Sequence, residues 1–178
     1  GARAEPNPGH RALAGMERRC GDRCTLLTQN VDGLHLRAGN TLARTFQIHG
    51  NAFYMRCSQE CSEAVYPIPG GVRAKTREEH LTDSDRALLR CPLCGARSRP
   101  PILLFDASYT EHHYHFYSSL DTARQTALLI VVGTAGATNL PNQVARAVYQ
   151  RDGVILDINI ETNPFAQLAA STAGRAVA

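Results

Sequence analysis

The segment Ala127-Leu-Leu-Ile-Val-Val-Gly-Thr134 decides the fold of this chain. Its six apolar residues follow one another without a polar interruption, and such a run predicts a strand covered on both faces, as in a parallel sheet. A second run, Gly153-Val-Ile-Leu-Asp-Ile158, comes after a stretch over residues 140–150 that predicts a helix. Strand, helix and strand in this order predict a βαβ unit with parallel strands.

The rest of the chain extends this alternation. Residues 6–19 predict a helix that proline and asparagine open, and residues 24–28 predict a short apolar strand that ends at a polar turn. Residues 101–105 predict a buried strand, and residues 109–125 predict a helix. Over 178 residues the pattern predicts an α/β fold on a parallel sheet, with room for a small inserted module.

Polar residues and glycines follow three of the predicted strands. Open α/β sheets bind ligands at the carboxyl ends of their strands, where glycine admits phosphate and an acidic or amide side chain suits ribose hydroxyls. Each such residue alone is common in turns and caps, but three strand ends together favour a nucleotide site. The candidate residues are Gln29, Asn30, Asp32, Gly133, Thr134, Asn159 and Glu161.

Four cysteines form two close pairs, Cys57 with Cys61 and Cys91 with Cys94, separated by 29 residues. Pairs at this spacing suit a tetrahedral four-thiolate zinc site, and Gly95 fits a turn whose backbone N–H groups face the sulfurs. Disulfides or unrelated thiols are the alternative. The residues around the pairs predict short strands at 53–56 and 64–66, with a loop and an exposed helix over 67–86.

The two remaining cysteines, Cys20 and Cys24, run into the first predicted strand, and we interpret them as structural. Among the histidines, His49 directly precedes a glycine ahead of the cysteine pairs, and an imidazole can act as a general base near neutral pH. A lone histidine is more often structural, and His35 competes with it for the role. For the histidines at 112, 113 and 115 we expect a solvated surface rather than a metal site.

Composition narrows the classes of partner and compartment. The net charge is only +3 and no block of Lys or Arg stands out, so nucleic-acid binding is not expected. No run reaches 18 apolar residues, so no membrane span is expected, and no signal peptide is visible. Paired cysteines of the metal-binding type favour a reducing compartment, and we expect the cytoplasm.

Several motifs in a fixed order carry a resemblance to a known family. They are Thr28-Gln-Asn-Val-Asp-Gly-Leu-His35, Ala38-Gly39, Ile48-His49-Gly50, the cysteine pairs, Gly133-Thr134 and Ile158-Asn-Ile-Glu-Thr162. Together they closely resemble the sirtuins, the NAD-dependent protein-lysine deacylases. The resemblance implies a Rossmann-like NAD-binding domain over residues 1–50 and 100–178 and a small zinc module over residues 51–99. In this family NAD and an acyl-lysine peptide meet in the cleft between the two.

The resemblance also implies a role for each candidate residue. His49 resembles the general base that acts on the ribose hydroxyls of the nicotinamide end of NAD, and the set after the first strand resembles the polar residues around that ribose. The pair Gly133 and Thr134 resembles the family's turn at the phosphates. Further matches are Asn159 and Glu161 at the adenosine ribose, Ala176 at the adenine, and Cys57, Cys61, Cys91 and Cys94 at a structural zinc.

The implied reaction transfers the acyl group of acyl-lysine to ADP-ribose and releases nicotinamide. The family's glycine-rich phosphate loop precedes the first residue of this chain, so we expect an N-terminally truncated sirtuin. Phe105-Asp-Ala107 and Ala135 also depart from the family's pattern. Two alternatives therefore stay open: an NAD-dependent protein ADP-ribosyltransferase of the same fold, and a non-catalytic zinc- and nucleotide-binding scaffold.

Overall fold

A computed structural model describes residues 4–73, 75, 78–104 and 108–173 of the chain. The chain divides into two compact units, Gly1–His115 and Phe116–Ala178. The predicted Ala176 contact and the departure at 105–107 lie outside the described residues. Within the described part of the chain, no helix combines the length and the apolar character needed to cross a membrane.

The first unit begins with a capped helix and a pair of parallel strands. Its elements are α1 (Pro8–Cys20), a 3₁₀ turn (Gly21–Arg23), β1 (Leu26–Thr28), α2 (Leu34–Ala38), a second 3₁₀ turn (Leu42–Arg44) and β2 (Thr45–Gln47). The Asn7 side chain accepts a hydrogen bond from the His10 backbone and caps α1, as the sequence indicates. Strands β1 and β2 pair in parallel from Leu26 opposite Thr45 to Thr28 opposite Gln47.

A buried carboxylate fixes α1 against the connection that enters β2. Glu17, only 7% exposed, accepts hydrogen bonds from the Asn40 amide at 2.7 Å and from the Thr41 backbone and hydroxyl at 3.0 and 2.6 Å. Burial alone would raise the pKa of Glu17, but these hydrogen bonds outweigh it and lower the pKa. The ionised carboxylate is therefore satisfied, and it holds the approach to β2 in place.

A three-stranded antiparallel sheet follows, in the order β4-β3-β5. Its elements are β3 (Tyr54–Cys57), β4 (Val65–Pro67), α3 (Asp83–Leu88) and β5 (Ser98–Arg99). The two short strands predicted for this region are confirmed, each displaced by one residue. Helix α3 is confirmed as well, and a reciprocal pair of hydrogen bonds between Thr82 and Asp85 caps its first turn.

Two predictions for residues 101–125 are wrong. Over its described residues 101–104 the predicted strand is reduced to an isolated bridge between Ile102 and Gly50. The single helix predicted over 109–125 is two helices, α4 (Glu111–Tyr114) and α5 (Phe116–Arg124). His115 separates them with a φ of 52°, and its ring stacks on Phe46 with centroids 4.8 Å apart. A left-handed residue ends a helix, and the stacking contact offsets its strain.

The second unit contains α5 and the predicted βαβ unit. Its further elements are β6 (Leu128–Val132), α6 (Asn139–Gln150), β7 (Val154–Ile158) and α7 (Pro164–Thr172). Strands β6 and β7 are parallel, in register from Leu128 opposite Val154 to Val132 opposite Ile158. The prediction of a parallel α/β arrangement is therefore confirmed.

The sheet of the second unit is well covered on one face only. Val131 and Ile155 are 7% and 1% exposed and lie on the same face of the sheet. The alternate side chains are about half exposed, at 50% for Leu128, 52% for Val132 and 59% for Ile158. The expectation of a strand covered on both faces is therefore wrong for the described residues, whose second face is about half exposed.

Candidate functional site

The turn after β1 is built by its own polar side chains. The Thr28 hydroxyl accepts a hydrogen bond from the Asn30 backbone at 3.1 Å, and the Asp32 carboxylate accepts one from the Leu34 backbone at 3.0 Å. Gly33, with a φ of 65°, then turns the chain into α2. Both side-chain contacts shape the turn, and Asn30 itself is left exposed at its tip.

The same turn lies beside the segment that follows β2. The Ile48 backbone donates to the Thr28 carbonyl at 3.0 Å, and the Ala52 backbone donates to the Val31 carbonyl at 2.9 Å. A shallow depression opens along this edge of β1 and β2. Its polar lining is Thr28, Asn30, Asp32, His35, Thr45 and Gln47.

His49 is held at two points in this segment. Its carbonyl accepts from the Leu103 backbone at 3.1 Å, and its Nε2 lies 2.9 Å from the Tyr109 hydroxyl. Burial lowers the pKa of His49 below 6.5, and the backbone of Gln29 opposes this only in part. The imidazole is therefore neutral at pH 7 and can accept a proton.

The competing histidine has a different environment. The His35 ring packs against the His10 ring with centroids 4.6 Å apart, between α1 and α2. Burial and the neighbouring His10 lower the pKa of His35, while Asp32 raises it. Both rings are packing partners in this arrangement. The His49 ring is instead paired with the Tyr109 hydroxyl, and its segment is hydrogen-bonded to the turn that carries the polar residues.

Sequence reasoning missed Tyr109 entirely. It assigned this residue to the start of a long helix, yet the structure places its hydroxyl against His49, 60 positions away in the sequence. No motif marks a contact of this kind, because it depends on how α4 packs and not on local spacing.

The four predicted cysteines converge. Their sulfur atoms all lie within 4.8 Å of one another, with Cys57 and Cys94 3.5 Å apart and Cys61 and Cys91 3.6 Å apart. Four thiolates at about 2.3 Å from a tetrahedral Zn²⁺ would be separated by about 3.8 Å. The donor set and its spacing therefore fit Zn²⁺, and four protein ligands leave no open position, as expected of a structural site.

The backbone around the sulfurs has the predicted turn geometry. Backbone hydrogen bonds from Cys61 and Gln59 lower the pKa of Cys57 to about 6, and those from Cys94 and Leu93 lower the pKa of Cys91. The side chains of the other three cysteines raise the pKa of Cys61 to about 12. Hydrogen bonds that favour the thiolate suit a metal ligand. Gly95, with a φ of 70°, donates its backbone N–H to the Cys91 carbonyl at 2.9 Å, which closes the predicted tight turn around the second cysteine pair.

Elsewhere in the described part of the chain, no other cluster of three or more metal-binding side chains is found. Cys20 and Cys24 are free thiols at either end of the first 3₁₀ turn. The His112 ring contacts the carbonyl and the carboxylate of Glu63, in the zinc module. His112 therefore ties α4 to the module, which the sequence did not indicate.

The candidate residues of the second unit meet at the ends of β6 and β7. Gly133, with a φ of 62°, donates its backbone N–H to the Ile158 carbonyl at 3.1 Å, which brings Gly133 and Thr134 beside Asn159. The Asn159 amide donates to the Asp157 carboxylate, and Asn163 donates to the same carboxylate at 2.9 Å. Glu161 is exposed. Asp157 and Asn163 are residues of this cluster that sequence reasoning missed.

The parallel α/β architecture with an inserted four-cysteine module defines a Rossmann-like protein of the zinc-containing kind. A family model described as "Sir2 family" matches residues 1–139. The chain is 32% identical over 167 residues to an NAD-dependent protein deacylase of Leptospira interrogans, covering 90% of this chain and 58% of the relative. It is 32% identical over 173 residues to an NAD-dependent protein deacylase of Pyrococcus furiosus, covering 93% and 61%.

Solved structures agree with this match. A mutant Sir2 homologue in complex with ADP ribose superposes with a TM-score of 0.75 at 27% identity, covering 94% of this chain and 60% of that one. A Sir2 complex with a peptide and NAD⁺ gives a TM-score of 0.74 at 23% identity, which speaks for the fold alone. The chain belongs to the Sir2 family, and the sirtuin resemblance is confirmed. It spans about 60% of the length of these relatives.

Proposed function

We propose that this chain is part of an NAD-dependent protein-lysine deacylase that transfers an acyl group from lysine to ADP-ribose and releases nicotinamide. One observation carries the proposal: backbone hydrogen bonds join the segment that carries His49 to the turn that bears Asn30 and Asp32, and burial there lowers the pKa of His49. A neutral base beside a polar turn suits deprotonation of a ribose hydroxyl. Relatives at 32% identity carry the name NAD-dependent protein deacylase.

In this proposal the first unit receives the nicotinamide end of NAD. Gln29, Asn30 and Asp32 bind around the nicotinamide and its ribose, and His49 removes a proton from a ribose hydroxyl. The support is that the Ile48 and Ala52 backbones join the turn after β1 to the segment that carries His49. NAD would supply the reactive ribose carbon, and the chain's own residues would orient it and take up the proton.

The second unit would bind the adenosine end. Gly133 and Thr134 would lie at the phosphates, Asn159 and Glu161 at the adenosine ribose, and Ala176, outside the described residues, at the adenine. The contact between Gly133 and the end of β7 supports a shared ligand for these residues. A glycine with a positive φ at a strand end leaves room for a phosphate to approach the backbone.

The domain division and the metal belong to the same proposal. Residues 51–99 would form the zinc module, and residues 1–50 and 100–178 the Rossmann-like NAD-binding domain. All of β3, β4 and β5 and all four clustered cysteines fall inside 51–99, which supports this boundary. A thiolate zinc site persists in a reducing compartment, so we also propose a cytoplasmic location.

The test separates binding from turnover, because the chain is shorter than its relatives. Calorimetry measures NAD binding, and chromatography measures nicotinamide and acyl-ADP-ribose after incubation with NAD and an acetyl-lysine peptide. We expect both products in equal amounts and only when the peptide is present. In a His49→Ala variant we expect NAD binding to persist and product formation to fall by on the order of 100-fold or more.

Each alternative leaves its own trace in the same experiment. Nicotinamide release that does not depend on the acetyl-lysine peptide would favour the ADP-ribosyltransferase. NAD binding without any release would favour the non-catalytic scaffold. A His49→Ala variant with unchanged turnover would remove His49 as the base.

A further inference from the structure

The Tyr109 hydroxyl lies against Nε2 of His49, the ring nitrogen that would have to accept a proton from a substrate. Nε2 of His49 lies 2.9 Å from this hydroxyl, and the two rings are 6.1 Å apart between centroids. This is hydrogen-bonding distance, so the phenol and the imidazole form a direct pair. The contact lies within the first unit and involves only described residues.

Tyr109 is fixed from the opposite side. The Tyr114 ring meets it edge-on, with centroids 6.2 Å apart and an angle of 85° between the planes, and Tyr114 is only 1% exposed. The Thr110 hydroxyl caps α4 by accepting from the His113 backbone, which fixes the residue next to Tyr109. The phenol is therefore held in place rather than free to swing away from His49.

The direction of the hydrogen bond follows from the charge state of the ring. Burial lowers the pKa of His49, so the imidazole is neutral near pH 7 and one of its two nitrogens carries a lone pair. We assign that lone pair to Nε2, the nitrogen 2.9 Å from the phenol oxygen, so that the Tyr109 O–H donates to it.

We propose that Tyr109 is a second catalytic residue, through which the substrate proton reaches His49. The proposal rests on the deacylase function proposed above. The ribose hydroxyl gives its proton to the Tyr109 oxygen while the Tyr109 proton passes to Nε2 of His49. One O–H bond of the substrate breaks, the phenol is regenerated and His49 becomes an imidazolium.

The first test reads the contact without any need for turnover. Diethyl pyrocarbonate acylates the free lone pair of a neutral imidazole, and mass spectrometry of a digest reports the rate at His49. We expect a Tyr109→Phe variant, which keeps the ring packing but lacks the hydroxyl, to be modified several-fold faster. A Tyr66→Phe variant, which makes the same substitution in the middle of β4, is the matched control. Its His49 should react at the same rate as His49 of the wild-type chain.

The second test reads the proton transfer. In Tyr109→Phe we expect kcat for nicotinamide release to fall on the order of 100-fold, while KM for NAD stays within about twofold. For the wild-type protein we also expect the rate of nicotinamide release to depend non-linearly on the deuterium fraction of the solvent, since two protons move together. Thermal unfolding of Tyr109→Phe and Tyr66→Phe checks that both variants fold.

The outcomes are distinct. An unchanged modification rate at His49 would overturn the contact and the relay, whatever the activity. Faster modification together with an unchanged kcat would overturn the relay alone. If the wild-type protein releases no nicotinamide, the deacylase function fails and the relay fails with it. The rates of reaction with diethyl pyrocarbonate still report whether Tyr109 covers Nε2 of His49.

Discussion

The carbonyl oxygen of Pro101 fills the space in which a side chain at Gly50 would lie. A Cβ atom placed on Gly50 would be 1.7 Å from this oxygen, and the φ of Gly50 is +84°. The bridge between Gly50 and Ile102 and the bond from the Leu103 backbone to the His49 carbonyl depend on this close approach. The absence of a side chain at Gly50 therefore fixes the backbone that carries His49.

Gly50→Ala should destabilise the first unit strongly. The positive φ costs about 1–2 kcal/mol for a residue with a Cβ, and the contact with backbone adds about 1–3 kcal/mol. We expect the free energy of unfolding to fall by about 2–5 kcal/mol in denaturant titrations. The segment at 101–103 would have to move away from His49.

Gly95→Ala is the matched control for this prediction. Gly95 has a φ of +70° in the same unit, but no atom lies within 4 Å of the position of its Cβ. Only the backbone term of about 1–2 kcal/mol should remain. Equal losses of stability in the two variants would show that the Pro101 contact does not matter.

The four-cysteine site predicts a metal content of one zinc ion per chain. Cys91→Ser should remove it, because Cys91 is 3% exposed and its sulfur lies 3.6 Å from that of Cys61 in the cluster. Loss of the metal would remove the cross-link between the end of β3, where Cys57 lies, and the turn that carries Cys91 and Cys94. Atomic emission measures the zinc, and thermal unfolding with and without a chelator measures its contribution to stability.

Cys20→Ser serves as the control, since Cys20 lies outside the cluster. It should keep its zinc and its response to the chelator. Purified chain with far less than one zinc ion, or zinc that survives in Cys91→Ser but not in Cys20→Ser, would contradict the assignment.

The sequence allowed prediction of those parts of the molecule that depend on local spacing. Each cysteine pair closes within one turn of the chain, so the spacing of Cys91 and Cys94 already predicts a metal site. The β6-α6-β7 unit follows from an apolar run, a helical period and a second run. In both cases the signal is local even though the parts meet across the chain: each cysteine pair is marked by its own spacing and each strand by its own apolar run.

What depended on packing between distant segments could not be predicted. His115 ends α4 with a positive φ, and no glycine marks the position. Tyr109 reaches His49 across 60 residues of chain. Asp157 lies inside an otherwise apolar strand, and its role became visible only when Asn159 and Asn163 were seen to share its carboxylate.

The lowered pKa of His49 predicts the pH dependence of turnover. A base must be neutral to accept a proton, so kcat/KM should rise with pH through the pKa of His49 and then level off. Because burial places that pKa below 6.5, the half-maximal point should lie below pH 6.5 and the rate should be flat near pH 7 to 8.

Nicotinamide release measured between pH 5 and about 8 checks this expectation. His35→Gln is the matched control, since the pKa of His35 is also lowered but its ring packs against His10. Its profile should keep the same midpoint as that of the unmodified protein. A midpoint at pH 7 or above would mean that a different group, or a His49 exposed to water, governs the rate.

Thr172 provides a test of the second unit. It is fully buried, and its hydroxyl oxygen accepts from the Ile155 backbone at 3.0 Å. Thr172→Val keeps the shape of the side chain and removes the hydroxyl that accepts from this N–H, so a buried donor loses its partner. We expect the free energy of unfolding to fall by about 1–3 kcal/mol in denaturant titrations.

Thr126→Val is the matched control, because it removes a hydroxyl at a site where water can replace the lost hydrogen bond. The Thr126 hydroxyl donates to the Thr122 carbonyl at 2.8 Å, and Thr126 is only half-buried, so its removal should change stability by less than about 0.5 kcal/mol. Thr172→Ser should recover part of the loss, because the hydroxyl returns while one methyl group is missing. If Thr172→Val is as stable as Thr126→Val, the Thr172 hydroxyl contributes nothing to holding α7 against β7.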